Sequence, residues 1–265
     1  MVRRTVRTSD GLELTAVEFG GTGRPILLLH GLMGRATTWW AVARWLSEHG
    51  RVVGLDARGH GRSQAAGPWT TQRFVADLVD VVGQLALAPA VVIGHSMGGL
   101  HGWQLAAANP ELVRGVVVED MAPDYRGRSV QLAADWFGAM PATFTSVAAV
   151  RDAFGWPWPS FGDYMAECVE ERADGYHLLS RVEDAVAIAA EWAEHDYRDS
   201  LRAVRCPVQL IEGEHGNTPP GQLAGIAEQM RNARHVRVPG TGHLVHADDP
   251  QAYRDAVEQF LAELG

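Results

Sequence analysis

The sequence predicts an α/β fold: a mostly parallel eight-stranded sheet with helices on both faces, interrupted late in the chain by an inserted helical segment. Three observations predict it. Short β-branched or leucine runs such as Pro25–Leu29 end in turn residues and alternate with stretches of helical periodicity, the pattern of strands covered on both sides. The 265 residues are 46% hydrophobic and 21% charged, which fits an ordinary globular chain and excludes disorder, collagen and coiled coil. At this length about three quarters of the unfolded surface is buried on folding, so neither a disulfide nor a structural metal is needed.

Residues 2–8 and 12–19 read as two strands joined by Ser9-Asp10-Gly11, a hairpin turn signal. The runs 26–29, 51–55, 90–93 and 115–118 read as buried parallel strands. Between them, 71–87 places Phe74, Leu78, Val81, Val82 and Leu85 at helical spacing, and a second helix over 97–108 stops at Asn109-Pro110. Strands at 208–211 and 235–238 flank a helix around 220–230, and a last helix covers 250–264. Residues 122–200 break this alternation, with no clear strand pattern and many aromatics. There Ser180-Arg-Val-Glu183 reads as a capping box opening a helix that runs through residues 185–192. The expected organisation is therefore a core of 1–121 and 201–265 with a helical insertion over 122–200.

The net charge is −9, and every one of the 23 basic residues is Arg, because the chain contains no Lys. An acidic chain is a poor match to phosphate backbones or anionic lipid, so neither nucleic acid nor membrane is expected as a partner. Lysine Schiff-base chemistry and lysine-dependent phosphate loops are excluded. Residues 122–200 hold six Arg against fourteen Asp and Glu, a net −8, which on helices usually marks a solvated outer face. Cys168 and Cys206 are too few for a disulfide framework, and Asn217-Thr-Pro is no glycosylation acceptor. No apolar stretch of signal-peptide length follows Arg3, Arg4 and Arg7, and the apolar runs are only strand-sized. A reducing, cytoplasmic location is expected. Oligomeric state is left open.

The most specific motif is Gly94-His95-Ser96-Met97-Gly98-Gly99, a G-x-S-x-G run between an expected strand and an expected helix. In a random loop the motif means little. In a sharp strand-to-helix turn it exposes the Ser96 hydroxyl and aims a helix N-terminus at it, so that the Met97 amide can donate to a developing oxyanion. His30-Gly31-Leu32-Met33-Gly34 follows an earlier strand and offers the Leu32 amide as a second donor. A general base must come from a loop after the last strand, and His243 stands there within Gly240-Thr-Gly-His-Leu-Val-His246. His246 reads as a structural hydrogen bonder; a metal site on His243 and His246 lacks a carboxylate or thiolate to complete it. His60, His95, His101, His195 and His215 read as structural or surface residues.

On His30-Gly31, the segment 56–63, Gly94 to Gly99 and Gly242-His243 through His246, the chain resembles the α/β-hydrolase fold superfamily, in its branch of small serine esterases with a helical cap. The likeness runs from the first hairpin to the last helix. It implies the α/β-hydrolase sheet, a cap over 122–200 that roofs the pocket, a 56–63 loop that is a fold signature, and no cofactor. Trp136, Phe137, Phe144, Trp156 and Trp158 are the cap side chains expected at the substrate, which the aromatic content suggests is apolar or aromatic. One element departs from the family pattern. The triad acid usually follows the strand at 208–211, but Gly213-Glu-His-Gly216 puts glycine at that position. Some members carry the acid after the preceding strand, where Asp120 stands; Glu214, Glu119 and an acid-free dyad remain open. The implied activity is hydrolysis of a carboxylic ester of a small molecule through an acyl-enzyme on Ser96. Carbon–carbon, lactone and thioester hydrolysis and perhydrolysis use the same groups, and a binding protein without turnover is the rival from another class. Dehalogenase and epoxide hydrolase readings fail because those enzymes use a carboxylate where Ser96 stands.

Overall fold

The computed structural model describes residues 1–137 and 140–265, with the side chains of Leu132, Trp136 and Phe137 set aside. Strand β1 (Val2–Arg7) folds back on β2 (Glu13–Gly20) through a turn closed by the Gly11 amide on the Thr8 carbonyl, with Gly11 at φ 89°. Then come β3 (Pro25–Leu29), a 3₁₀ turn (Ala36–Trp39) running into α1 (Trp40–Leu46), β4 (Arg51–Asp56) and α2 (Thr71–Gln84). β5 (Ala90–His95), α3 (Met97–Ala108) and β6 (Val113–Glu119) complete the first part of the core. The region after β6 holds α4 (Ser129–Phe137), α5 (Val147–Phe154), α6 (Pro159–Ala166), β7 (Val169–Arg172), β8 (Gly175–Leu178), α7 (Val182–Trp192) and α8 (Arg198–Arg202). The chain returns to the sheet with β9 (Val208–Gly213), α9 (Gln222–Ala227), β10 (Ala233–Val238), α10 (Val245–Asp248) and α11 (Pro250–Glu263).

The eight core strands are ordered β1-β2-β4-β3-β5-β6-β9-β10, antiparallel at β1-β2 and β2-β4 and parallel elsewhere. Successive residues of a parallel strand point to opposite faces, and both faces are apolar. Ile26 and Leu28 pack with Trp39, Val42, Tyr253 and Phe260 of the α1 and α11 layer. Leu27 and Leu29 pack with Phe74, Leu78, Leu100 and Trp103 of the α2 and α3 layer. From β3 the chain steps to β4 on one side and then to β5 on the other, which opens a crevice at the carboxyl ends of β3 and β5. The loop after β3 and Ser96 after β5 both stand there.

Two expectations for the region after β6 need correction. It is not all helical: β7 and β8 form an antiparallel hairpin turned at Ala173-Asp174, and Phe144 and Tyr176 exchange backbone hydrogen bonds of 2.8 Å beside it. Four-residue strands are too short to show alternation, although Asp174-Gly175 is a hairpin signal. Nor does Ser180 form a capping box. α7 starts one residue later, after Arg181, with no side-chain cap, and Glu183 pairs with Arg181 instead. The helix at α1 and the short α8 have too few turns to stand out as periodicity. α9 is also shorter than the stretch around 220–230 predicts.

Candidate active site

Ser96 follows the last residue of β5 with φ 50° and ψ −120°, outside the regions an ordinary side chain adopts without strain. The turn is held by the Ser96 amide on the Glu119 carbonyl at 2.8 Å and by the Gly99 amide on the Ser96 carbonyl at 2.8 Å. Glycine at 98 is a packing demand, since a Cβ there would lie 2.3 Å from the Leu29 carbonyl oxygen. That closeness packs the start of α3 against β3, and the Leu100 amide also turns back on the Ser96 carbonyl, at 3.2 Å. Among the described residues, the Leu32 and Met97 amides donate to no group of the chain. Leu32 lies inside a turn closed by Gly34 on Gly31 at 3.0 Å, with Met33 at φ 64°. The Tyr164 hydroxyl, from α6, donates to the Gly31 carbonyl at 3.2 Å and so ties the region after β6 to this turn.

Asp120 leaves β6 as Ser96 leaves β5: φ is 45°, and its amide donates to the Ile211 carbonyl at 2.8 Å. Its carboxylate is fully buried and receives the Gly213 amide at 3.2 Å, the Asn217 amide at 2.8 Å and His243 Nδ1 at 2.5 Å. The Asp120 carboxylate thus fixes which ring nitrogen of His243 faces β6. Ser96, His243 and Leu32 line one cavity.

The neighbouring carboxylate is used differently. Glu119 is fully buried and holds His246 Nδ1 at 2.8 Å through both oxygens while also accepting the His246 amide at 2.9 Å. Trp39 stacks on His246 with centroids 4.6 Å apart, so this pair braces the loop that carries His243. Glu214 is partly exposed and accepts the Gly240 amide at 2.9 Å. Neither alternative acid reaches His243 among the described hydrogen bonds. No group of metal-ligand residues occurs among the described residues.

Several histidines around the crevice are neutral for a shared reason: burial disfavours the imidazolium. It pulls His30 down to about 4 and His60 to about 3, and takes His95 well below its ordinary value. The Ala57 amide donates to His30 Nε2 at 3.0 Å, so His30 Nδ1 carries the proton and donates to the Gly31 carbonyl at 2.7 Å. His95 Nε2 lies 3.0 Å from the His243 carbonyl and donates to it, holding the His243 backbone from below. The 56–63 loop is knitted under the site by Asp56, which accepts the Ala36 amide at 2.6 Å and the Arg62 amide at 2.9 Å. The guanidinium of Arg58, buried against Asp77 at 2.6 Å, ties the same loop to α2.

The cap aromatics expected at the substrate scatter. Phe144 packs against Phe154 with centroids 6.0 Å apart in the inserted region's own core and lines no part of the cavity, because its backbone is tied to Tyr176. Trp156 is 91% exposed and Trp158 stacks on His215; both border an outer groove rather than the cavity over Ser96. The side chains of Trp136 and Phe137 lie outside the described residues. Instead Tyr125, Phe161, Tyr164, Ala189 and Trp192 line the cavity. The pairs Phe161/Tyr164 and Ala189/Trp192 are each three residues apart on one helix, a spacing that puts both members on one face and that aromatic content alone does not reveal.

This fold and site define a class, and comparison with known proteins gives it a name. The profile of the alpha/beta hydrolase family matches residues 26–256, and the chain belongs to that family. It is a hydrolase. It is 28% identical to a zebrafish (Danio rerio) sn-1-specific diacylglycerol lipase, ABHD11, over 97% of this chain and 85% of that one. It is equally 28% identical to a putative esterase/lipase of Haemophilus influenzae, over 89% and 83% of the two chains. Among solved structures, an E-2-(acetamidomethylene)succinate hydrolase superposes with a TM-score of 0.89 at 24% identity, over 98% of this chain and 99% of that one. No helix among the described residues is long and apolar enough to cross a membrane.

Proposed function

We propose that the chain hydrolyses uncharged carboxylic esters with an apolar acyl group, through an acyl-enzyme on Ser96. The observation that carries this reading is the buried Asp120 carboxylate on His243 Nδ1 at 2.5 Å, in the same cavity as a strained Ser96. Ser96 Oγ attacks the ester carbonyl as His243 takes its proton, and Asp120 holds the imidazole tautomer and stabilises the imidazolium. The Leu32 and Met97 amides receive the oxyanion. His243 then returns the proton to the leaving oxygen, and water releases the acid by the same steps. The region over 122–200 acts as the cap, supplying Tyr125, Phe161, Tyr164, Ala189 and Trp192 to the cavity wall.

The wall also supports the choice of acyl group. No Arg lines the cavity, the chain has no Lys, and the residues left undescribed, Leu132 and 136–139, carry no charge in the sequence. The Ser129 hydroxyl is spent on the Ala189 carbonyl at 2.6 Å. A carboxylate bound there would be desolvated without a counter-charge, at a cost of several kcal/mol. The superposition with an acetamidomethylenesuccinate hydrolase therefore carries the fold to this chain, and a dicarboxylate substrate does not follow from it. The test compares an ethyl ester of butanoate with the half-ester of succinate. The neutral ester should be preferred at least tenfold in kcat/KM, and Ser96→Ala should lose on the order of 10⁶ in kcat by analogy with other triads. Preference for the succinate half-ester overturns the acyl assignment, and Ser96→Ala within tenfold of wild type overturns the nucleophile.

A further inference from the structure

The cavity over Ser96 is not the only space at the reacting groups. A second groove shares Phe161, Asn217 and His243 with the first, but includes neither Ser96 nor Leu32. We propose that this outer groove receives the leaving group, and that it fits an uncharged, planar aromatic alcohol laid against Trp156. The proposal rests on the serine-esterase reading above.

Proton transfer assigns the two spaces. In acylation the bond from the carbonyl carbon to the alkoxy oxygen breaks, the electron pair goes to that oxygen, and the proton His243 took from Ser96 is delivered to it. The alkoxy oxygen must therefore face His243. The acyl half lies beside Ser96 and Leu32, which line the inner cavity. The alcohol half is left with the space that touches His243 and not Ser96.

The side chains of that space say what it fits. Trp158 is braced: its ring stacks on His215 with centroids 5.8 Å apart, and a Cβ at Gly242, next to His243, would lie 2.7 Å from it. Among the described residues nothing braces Trp156 in that way. It is 91% exposed, the most exposed of the large described apolar side chains, at the rim of a groove that leads to His243. An indole left in water gains from any flat apolar surface that covers it. Asp135 is the only charged side chain among the described lining residues, and residues 122–200 carry a net −8, so an anionic alcohol is disfavoured.

The experiment uses one acyl group, butanoate, on three alcohols: ethanol, benzyl alcohol and 2-naphthylmethanol. For the wild type, kcat/KM should rise with ring area. Because all three esters share one acyl-enzyme, any step after acylation is common to them. Trp156→Ala should lower the naphthylmethyl-to-ethyl ratio of kcat/KM at least tenfold, while the butanoate-to-hexanoate ratio on ethanol holds within twofold. Since Trp156 stands in solvent, the variant is expected to fold, and a circular dichroism spectrum checks it. An unchanged alcohol ratio, or a shift in the acyl ratio instead, overturns the assignment. Failure of the underlying reading is separately visible as a wild-type Ser96 that a fluorophosphonate does not label, and it would overturn both.

Discussion

The Asp120 carboxylate occupies the space that a side chain at position 216 would need. A Cβ built on Gly216 would lie 2.3 Å from Asp120 Oδ1 and 2.4 Å from Oδ2. Position 216 has no room for a side chain while Asp120 holds this place: one carboxylate fits between β6, β9 and His243, and the chain supplies it from β6. Adding a second from position 216 without removing the first is sterically forbidden.

This relationship predicts a reciprocal effect. Asp120→Asn should cost roughly 10³ to 10⁴ in kcat, the scale seen when a triad acid is made an amide. Gly216→Asp alone should destabilise the fold and lower activity, because two carboxylates then compete for one site. Asp120→Gly with Gly216→Asp removes the clash and suits the φ of 45° at position 120, and it should recover at least tenfold over Asp120→Gly alone. Kinetics on one activated ester, with melting curves for each variant, check this.

The two other carboxylates separate by burial. Glu119→Gln replaces one of the two buried oxygens that hold the His246 ring with an amide NH₂, and a buried hydrogen bond left unmade costs about 1–3 kcal/mol, so a fall of several degrees in Tm is expected. Glu214→Gln removes only an acceptor for the Gly240 amide at the surface, and both Tm and kcat should stay near wild type. A crippled Glu214→Gln beside a fully active Asp120→Asn would place the acid after β9.

Buried neutral histidines make stability depend on pH with a definite sign. His30 sits at about 4, and His60 and His101 at about 3, while an unfolded chain binds these protons near 6.5. Below 6.5 the unfolded state binds more protons than the folded one, so this contribution is complete above that pH and is lost as pH falls toward 3–4. Each such group costs about 1.4 kcal/mol per pH unit in that window. Asp56, raised by burial, takes up a proton in the folded state and offsets part of the loss. His101 stacks on Phe74 at 4.4 Å with Nε2 unpartnered among the described residues, and His101→Leu should reduce the slope of the urea midpoint between pH 6 and 4 by about one such group. An unaltered slope would contradict the assignment of His101 as neutral.

What was legible in the sequence follows the range of the physics. The Ser96 turn is a local demand: a strand must turn into a helix within six residues, and Gly94 and Gly98 record the close approach in the chain itself. His243 is legible because its loop follows the last strand between small residues. Asp120 is suggested in the sequence by its place after the 115–118 strand and by the glycine at 216, but the reason for that glycine is a contact between residues 96 positions apart in the chain, which no local pattern carries. The cavity wall was least legible. Aromatic content pointed to Phe144, which lies in the inserted region's core, and to Trp156, which borders the outer groove, whereas the wall of the cavity over Ser96 follows helical spacing on α6 and α7.

Fluorophosphonate labelling asks whether Asp120 and His243 activate Ser96, because covalent capture needs an activated serine and an oxyanion hole but no knowledge of the substrate. The second-order labelling rate should be measured for wild type, Asp120→Asn and Ser96→Ala, with the modified residue located by peptide mass mapping. Rapid stoichiometric labelling at Ser96 is expected in the wild type, slowed by about two or more orders of magnitude in Asp120→Asn by estimate from other triads, with no labelling in Ser96→Ala. An unlabelled wild type, or an Asp120→Asn variant labelled as fast as wild type, would contradict that activation.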